Sequence, residues 1–331
     1  MNKRDVRVML VGYGVVGRGV AKVLNLKQSS FIKKGVKFKI VAMCEKDGSI
    51  FDPNGLSLKE LDNFKKHRSF TTETALKLIP EIEADILIEV TPTNIINGEP
   101  GYSHIVSALK SGKHVVTSNK GPLALYYNKL MHIAEKHDRK LLFEATVCSS
   151  TPVFSLVRKT LQPNDILSIV GILNGTTNYI LTKMHEEDIS FDTALREACE
   201  MGYAEANASY DVDAIDPAAK LVILANALMG MKIKFADVKK TGIREITPEA
   251  VELAKSRNRV IKLVGEVSDS TVEVSPRLVP ASHPLNVGGT LNALMFRLDL
   301  AHDLYIVGRG AGQIETASAI ISDMLDICGC L

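Results

Sequence analysis

A short apolar segment followed directly by three closely spaced glycines constrains the fold more than any other feature of this chain. Residues 6–17 read VRVMLVGYGVVG, and helix-forming residues continue to Leu24. In such a G-x-G-x-x-G segment the first glycine allows a tight turn, the second lets a pyrophosphate approach the backbone, and the third lets the helix pack on the strand. The segment therefore predicts a strand and a helix joined either by a dinucleotide-binding turn or by a turn that holds no ligand. The predicted cofactor contacts here are Gly12, Gly14, Val15, Val16 and Gly17.

Apolar strands and helical stretches alternate through the first half of the chain. Further strands are predicted at 36–43, 85–90, 114–117 and 140–147, and helices at 102–110 and 123–137. This alternation is typical of a Rossmann-type α/β fold, a doubly wound parallel sheet with helices on both faces. Ligands on such sheets bind beyond the carboxyl ends of the strands. Thr91 and Lys120 follow two of these strands, so Thr91 is a candidate cofactor contact and Lys120 either faces cofactor and substrate or is a surface lysine.

The second predicted strand leads into an acidic and a basic residue, Glu45 and Lys46. A carboxylate at this position binds the ribose hydroxyls of NAD, whereas a cation there accommodates the 2′-phosphate of NADP. Adjacent side chains on an extended chain point in opposite directions, so one of the two is expected to face the ribose. The sequence leaves the choice between NAD and NADP open.

The second half of the chain predicts a different kind of sheet. A strand at 166–173 and alternating segments at 260–267 and 272–279 indicate an open, antiparallel sheet covered by helices. A last strand at 304–308 leads into glycines at 308, 310 and 312 and a helix at 314–327, which we expect to return to the first domain. The predicted domains are therefore a dinucleotide-binding domain at 1–150, completed by 304–331, and an α+β domain at 151–303.

One charged residue interrupts an otherwise apolar helix in the second half. From 218 to 231 the residues are Ala, Leu, Val, Ile and Met apart from Lys220, Asn226 and Gly230. A helix that is apolar all round is buried, so Lys220 is predicted to point into the protein, with Asp216 as N-cap and Pro217 first in the helix. Burial and the helix dipole would lower the pKa of this lysine and make it a proton donor and acceptor. The alternative is a lysine that reaches the surface.

Length and charge exclude several classes of protein. At 331 residues, 46% of them hydrophobic, the chain is long enough for two domains with sizeable cores. A net charge of +2 gives no reason to expect a nucleic acid or a membrane as partner. Five widely spaced cysteines form no disulfide or zinc pattern, and the sequence has neither a signal peptide nor an apolar run of membrane-spanning length. We expect a soluble, cytoplasmic protein.

Eight motifs in this chain resemble, in the same order, those of homoserine dehydrogenases. They are G-x-G-x-x-G at 12–17, S-N-K at 118–120, E-A-T-V at 144–147, N-G-T-T-N-Y-I at 174–180, G-Y-A-E at 202–205, D-x-x-x-x-D-x-x-x-K at 211–220, H-P-L at 283–285 with Asn-Ala at 292–293, and G-x-G-A-G-x-x-x-T-A at 308–317. Each motif alone is weak, but eight in the family's order are specific. The resemblance spans essentially the whole chain.

The resemblance implies reversible, NAD- or NADP-dependent interconversion of L-homoserine and L-aspartate 4-semialdehyde, a step of threonine and methionine biosynthesis, by a homodimer whose second domain is catalytic. By position in the motifs, Lys220 is the proton donor and acceptor and Lys120 the second active-site lysine. The implied substrate-binding residues are Gly202, Glu205, Asp211 and Asp216, and Gly310 is an expected cofactor contact. A sodium ion is implied at Glu144, Val147, Ser149 and Thr151.

Some positions depart from the family's pattern. Residues 148–150 are Cys-Ser-Ser where glycines are frequent, and Ala214 and Pro217 replace a frequent glycine and alanine. The chain also ends soon after the last glycine motif, so we expect no amino-acid-binding regulatory domain.

Two alternative functions remain open at this level. A dinucleotide-binding sensor without catalysis would show damage at Lys120, Lys220 or Glu205, and these residues are intact. An acylating semialdehyde dehydrogenase would use Cys148 as nucleophile. No histidine stands near Cys148 in the sequence to activate it, which favours a buried structural cysteine.

Overall fold

Two sheets of six strands each organise the described residues, 4–205 and 207–330, of a computed structural model of the chain. One sheet lies in a unit that runs to Thr146 and resumes at Gly312, and the other lies in a unit that spans Val147–Ala311. The sequence predicted these boundaries at 150 and 304. The strand at 302–309 pairs within the second sheet, so the segment that belongs to the first unit begins only after it.

The first unit begins with the strand and the glycine turn. Val8, Met9 and Leu10 of this strand have no solvent exposure, as expected for a central strand of a parallel sheet. The elements up to the end of this segment are β1 (Arg4–Val11), α1 (Val15–Leu26), α2 (Gln28–Lys33), β2 (Val36–Glu45), β3 (Gly48–Phe51), α3 (Leu58–Asp62), α4 (Ala75–Glu81), β4 (Ile86–Glu89), α5 (Gly101–Lys110), β5 (His114–Thr117), α6 (Lys120–Lys136) and β6 (Leu141–Leu142).

The first sheet is parallel except at one edge. Its order is β3-β2-β1-β4-β5-β6, and β3 runs antiparallel to β2 whereas the other neighbouring strands are parallel. The strand order changes direction between β1 and β4, and ligands of doubly wound sheets bind in the crevice at such a point. The predicted Rossmann-type architecture is confirmed.

The second unit carries the remaining strands and most of the helices of the second half. Its elements are α7 (Phe154–Thr160), β7 (Ile166–Ile172), α8 (Gly175–Glu187), α9 (Phe191–Glu200), α10 (Ser209–Val212), α11 (Ile215–Leu228), β8 (Lys239–Lys240), α12 (Pro248–Ser256), β9 (Arg259–Ser268), β10 (Val272–Pro280), β11 (Leu291–Leu298) and β12 (His302–Arg309). The sheet order is β12-β11-β7-β9-β10-β8.

This second sheet is antiparallel, as predicted, except that β8 joins its edge in parallel with β10. The apolar helix α11 packs on it. A Cβ at Gly265 of β9 would lie 3.5 Å from the side chain of Leu221, so helix and strand are in van der Waals contact. This packing buries the face of α11 that carries Leu221.

One further helix, α13 (Gln313–Ile327), completes the first unit. Ala317, Ile320 and Met324 of α13 are buried in the core of this unit. The helix approaches α1 closely, because a Cβ at Gly19 would lie 2.6 Å from the carbonyl oxygen of Gln313.

Two local predictions for the first unit differ from the structure. The strand predicted at 140–147 is limited to β6, because a 3-10 turn at Glu144–Thr146 ends the extended conformation. The helix predicted from 123 begins at Lys120, because the side chain of Asn119 accepts a hydrogen bond from the backbone N of Gly121 and caps it.

The described helices are of ordinary length for a globular protein. The longest, α6, has 17 residues, and the apolar α11 has 14. None of those described combines the length and the apolar composition that crossing a bilayer requires. Short 3-10 turns at Phe64–Lys66 and Phe235–Asp237 complete the described elements.

Candidate active site

The glycine turn after β1 leaves an open cradle at the N-terminus of α1. Gly12 has a φ of +99°, and a Cβ there would lie 2.7 Å from the carbonyl oxygen of Val90. A Cβ at Gly17 would lie 2.1 Å from the carbonyl oxygen of Gly12. A Cβ at Gly14, in contrast, would meet no described atom within 4 Å. This open space beside the backbone amides of the first turn of α1 fits the pyrophosphate of a dinucleotide.

Glu45 ends β2 with its carboxylate beside the glycine turn. Its Oε2 accepts a hydrogen bond from the backbone N of Tyr13 at 2.6 Å, and its Oε1 accepts one from the backbone N of Lys46 at 2.9 Å. The side chain of Lys46 is exposed. A carboxylate in this place is able to accept ribose hydroxyls, and the role of Glu45 in cofactor binding stays a prediction.

Thr91 and Lys120 follow β4 and β5, which are neighbours in the first sheet. The amide and the hydroxyl of Thr91 donate to the carboxylate of Glu89, the last residue of β4. Lys120 is the first residue of α6 and follows its cap, Asn119. Asn119 Nδ2 donates to the Thr91 hydroxyl at 3.3 Å, so the structure joins the two strand ends that carry the candidate residues.

In the second unit, Lys220 lies within α11 and is 7% exposed, which confirms the predicted burial. The predicted helix start was wrong. Ala214 is the N-cap residue and has a left-handed φ of +61°, so the helix begins at Ile215 and Asp216 lies in its first turn. Pro217 is consequently the third helical residue.

The ammonium group of Lys220 is held by one carboxylate and one carbonyl. Its Nζ lies 2.7 Å from Asp216 Oδ2 and donates to the carbonyl oxygen of Leu173 at 2.6 Å. Burial pulls the pKa of Lys220 down, but the adjacent carboxylate of Asp216 outweighs this effect and holds the pKa above its ordinary value. The predicted lowering of the pKa was therefore wrong, because the sequence showed the burial but not the contact.

Asn174 is a site residue that the sequence analysis missed. Its Nδ2 donates to Asp211 Oδ1 at 2.6 Å and to Asp216 Oδ2 at 2.9 Å, while its Oδ1 accepts from the backbone N of Thr177 and caps α8. One side-chain amide thus holds two carboxylates together. Burial, with repulsion from Asp216, raises the pKa of Asp211. Asn174 opens the motif N-G-T-T-N-Y-I, and its place before a helix was the available signal.

The loop at 201–205 carries two further predicted substrate residues. Gly202 has a φ of +73° and Glu205 is exposed, and no described hydrogen bond or ion pair joins Glu205 to Lys220. The loop is tied to α8 instead, because the Thr176 hydroxyl donates to the carbonyl oxygen of Tyr203 at 2.8 Å. The structure therefore joins Asp216 to Lys220 directly and Asp211 to Asp216 through Asn174, while the role of Glu205 stays a prediction.

Cys148 belongs to a buried polar group of the second unit. It is 1% exposed, and its Sγ lies 3.7 Å from Asn292 Nδ2. Asn292 Oδ1 has no hydrogen-bond partner among the described residues, and a Cβ at Gly310 would lie 2.1 Å from it. The last glycine motif thus packs directly on Asn292. Because Cys148 is enclosed, the structure favours a buried structural cysteine over a catalytic nucleophile.

The predicted sodium ligands are buried. Glu144, Val147, Ser149 and Thr151 are 4%, 0%, 4% and 6% exposed. Cys148 and Ser149 both have left-handed φ values, 56° and 49°, and the Thr151 hydroxyl has no hydrogen-bond partner among the described residues. No three His, Cys, Asp or Glu side chains of the described part of the chain form a metal-binding group.

Two family models match the chain. The NAD-binding domain of homoserine dehydrogenase matches residues 12–144, and the homoserine dehydrogenase model matches residues 152–325. These matches include both candidate lysines, Lys120 and Lys220.

Individual proteins show the same similarity over nearly the full length. A homoserine dehydrogenase of Methanocaldococcus jannaschii is 47% identical, over 97% of this chain and 98% of that relative. A crystal structure from Archaeoglobus fulgidus, provisionally described as a homoserine dehydrogenase, has a TM-score of 0.91 at 44% identity, over 97% of this chain and 99% of that chain. A hyperthermophilic archaeal homoserine dehydrogenase in complex with NADPH has a TM-score of 0.86 at 28% identity and covers 99% of both chains.

Proposed function

The chain belongs to the homoserine dehydrogenase family of NAD(P)-dependent oxidoreductases, and from this premise we propose how its residues divide the reaction. The reaction interconverts L-homoserine and L-aspartate 4-semialdehyde, and NAD or NADP, when bound, would provide the hydride chemistry. The observation that carries the proposal is the buried contact of Lys220 with Asp216 and the carbonyl of Leu173. The similarity over nearly the full length does not favour an inactive sensor or an acylating dehydrogenase that uses Cys148.

The first unit holds the dinucleotide. The backbone amides at the start of α1 bind the pyrophosphate, because Gly14 leaves that approach open. The carboxylate of Glu45 accepts the adenosine ribose hydroxyls, and Lys46 accommodates a 2′-phosphate. The residues of this unit that would contact the cofactor are Gly12, Gly14, Val15, Val16, Gly17, Glu45, Lys46, Thr91 and Lys120. Gly310, the remaining expected contact, belongs to the second unit.

Carboxylates of the second unit bind the amino-acid end of the substrate. The ammonium group of homoserine requires negative oxygens, which Glu205 and Asp216 supply, while Gly202 and Asp211 line the same loop. Asn174 supports this binding because it holds Asp211 and Asp216 at fixed separation.

Lys220 moves the proton. In the reducing direction its ammonium group donates to the aldehyde oxygen, and its positive charge stabilises the alkoxide that develops there. In the oxidising direction the neutral amine accepts the hydroxyl proton. Asp216 keeps the side chain in place and favours its charged form. Lys120 acts as a second cation of the active site.

Glu144, Val147, Ser149 and Thr151 would hold a sodium ion. The support from this chain is the burial of all four residues and the orphaned hydroxyl of Thr151. The ion would have a structural role only.

The protein acts as a homodimer in the cytoplasm, in threonine and methionine biosynthesis. Family membership supports all three statements. For the dimer, half-exposed apolar side chains on the second sheet add support, because Leu167, Leu278 and Val307 are 51%, 50% and 48% exposed.

An absorbance assay tests the function directly. The purified protein is mixed with L-homoserine and NAD or NADP, and reduction of the nicotinamide is followed at its absorbance band. Reduction that depends on homoserine supports the proposal. Activity that instead requires aspartate semialdehyde and phosphate would establish the acylating reaction through Cys148.

A further inference from the structure

A buried carboxylate lies beneath the two strand ends that carry Thr91 and Lys120. Glu89, at the end of β4, has no solvent exposure. An ionised carboxylate in such a place is costly unless hydrogen bonds surround it. Its Oε1 accepts from the backbone N of Thr91 at 3.1 Å and from the Thr91 hydroxyl. The Thr117 hydroxyl donates to the backbone oxygen of Glu89 at 2.8 Å and lies 3.2 Å from Oε2.

The helix α5 covers the carboxylate of Glu89. His104 is 7% exposed, and its Nδ1 lies 3.8 Å from Glu89 Oε1 with no hydrogen bond to any described residue. A Cβ at Gly101 would lie 2.6 Å from Asn119 Nδ2 and 3.2 Å from Glu89 Oε2. The start of α5 therefore packs directly on Glu89 and Asn119.

Hydrogen bonds continue from Glu89 to the helix that begins with Lys120. The Thr91 hydroxyl, which donates to Glu89, accepts from Asn119 Nδ2 at 3.3 Å. The Thr117 hydroxyl accepts from the backbone N of Asn119 at 3.0 Å. Asn119 Oδ1 in turn accepts from the backbone N of Gly121 and caps α6. Both the backbone and the side chain of Asn119 are thus fixed by hydroxyls that contact Glu89.

We infer that Glu89 is a positioning residue of the reaction, which fixes Thr91 for the cofactor and, through Asn119, the start of the helix that carries Lys120. A hydroxyl has one hydrogen, and the Thr91 hydroxyl donates it to the carboxylate of Glu89. The Thr91 oxygen can therefore only accept hydrogen bonds from other groups. The carboxamide NH2 group of a nicotinamide is a donor that suits such an acceptor. This inference rests on the proposed roles of Thr91 and Lys120.

The variant Glu89→Gln tests it, because the amide nitrogen of glutamine cannot accept the hydrogen bonds that the carboxylate accepts. We expect the dissociation constant of NADH or NADPH, measured by nicotinamide fluorescence without substrate, to rise about tenfold. We also expect kcat to fall while KM for homoserine stays within about twofold, because the carboxylates of the second unit are untouched. A merely structural role would reduce the folded fraction without changing these constants.

Asp52→Asn is the matched control. Asp52 is a buried carboxylate of the same unit, but it bonds to the backbone N of Asn54 and to Arg68 beyond the end of β3. Its loss should leave cofactor binding unchanged. If Glu89→Gln does not fold, Thr117→Val removes one hydroxyl of the network with little change of volume. It should weaken cofactor binding and lower kcat by about twofold to fivefold.

Two reference variants separate this inference from the proposed function. If Thr91→Val weakens cofactor binding and Lys120→Ala lowers kcat, whereas Glu89→Gln or Thr117→Val retains the wild-type constants, the positioning role of Glu89 is overturned and the proposed function stands. If Thr91→Val and Lys120→Ala are themselves without effect, the proposed roles fail, and the inference fails with them.

Discussion

Two buried lysines of the second unit show how a single contact decides the chemistry of a residue. Nζ of Lys262 donates to the neutral oxygens Asn178 Oδ1 and Val287 O at 2.8 and 2.6 Å, and burial lowers its pKa to about 8. Lys220 is equally enclosed, but its Nζ contacts the carboxylate of Asp216, and its pKa is raised. A counter-ion in contact therefore outweighs the desolvation that both lysines share.

The role of Lys220 predicts a large loss of turnover when its amine is removed. Lys220→Ala should lower kcat by roughly 10²–10⁴, the usual contribution of general acid–base catalysis, and leave the affinity for NADH nearly unchanged. Steady-state kinetics and fluorescence titration measure both. Lys262→Met is the control, since it removes a buried lysine of the same unit and should alter stability but not kcat of the folded enzyme. Near-normal kcat in Lys220→Ala would leave this lysine a packing residue.

The raised pKa of Lys220 predicts opposite pH responses of the two directions. Oxidation of homoserine requires the neutral amine, so its kcat should rise by about tenfold per pH unit above neutrality, until the pH passes the pKa. Reduction requires the ammonium form, so its kcat should stay level through neutral pH and fall only above the ordinary lysine pKa of 10.5. In Lys220→Arg, whose guanidinium stays charged, the alkaline rise should disappear. Oxidation that is level between about pH 7 and pH 9 would contradict this assignment.

Glu45 predicts the cofactor preference. In its proposed role the carboxylate accepts ribose hydroxyls and repels a 2′-phosphate. Glu45→Ala should therefore shift the ratio of the two kcat/KM values from NAD towards NADP by about tenfold, ~1.4 kcal/mol. Asp47→Ala is the matched control, because it removes a nearby exposed carboxylate that pairs with Lys65. An unchanged ratio in Glu45→Ala would mean that Glu45 does not face the ribose.

At the scale of elements, two glycines of the turn between β1 and α1 have different roles, one in packing and one in ligand binding. A Cβ at Gly17 would meet the backbone of Gly12, whereas one at Gly14 would project into open space. The same motif therefore contains one glycine that the fold requires and one that leaves room for the ligand.

This difference predicts distinct effects of two alanine substitutions. Gly14→Ala should keep the wild-type Tm but weaken cofactor binding, because the added methyl group occupies the approach of the pyrophosphate. Gly17→Ala should weaken cofactor binding and should also lower the free energy of unfolding by about 1–3 kcal/mol, because the added methyl group forces the helix away from the strand. Thermal unfolding and fluorescence titration of both variants distinguish the effects. Equal loss of stability in the two would refute the distinction.

At the scale of the whole molecule, each unit carries a different part of the proposed active site. The first unit carries the glycine turn, Thr91 and Lys120, and the second carries Lys220 with its carboxylates. Neither unit contains all the residues that the reaction is proposed to use. The second unit also carries the half-exposed apolar residues of the second sheet.

These apolar residues predict the oligomeric state. Sedimentation of the active enzyme should give the mass of a homodimer, because burial of such side chains in an interface stabilises association. Val307→Glu, which places a charge on the sheet, should weaken the dimer, and Leu26→Glu, on an exposed position of α1, is the control. A stable, active monomer of the wild-type chain would remove this proposal.

The sequence alone determined the fold class and most elements. Strand and helix periodicities are local properties of the sequence, and so is the glycine spacing of the turn. Residues 6–17 therefore predicted β1, the turn and the start of α1 correctly. The apolar residues around Lys220 likewise determined that α11 is buried. The family's motifs supplied the candidate residues, and they did so by resemblance rather than by geometry.

Only the tertiary structure decided which groups touch. The sign of the pKa shift of Lys220 depends on Asp216 at 2.7 Å, and the helix starts at Ile215 because Ala214 adopts a left-handed conformation. Asn174 and Glu89 acquire their partners from residues far away in the chain. Electrostatic and hydrogen-bond energies change steeply over a few tenths of an ångström, and no sequence spacing specifies such distances.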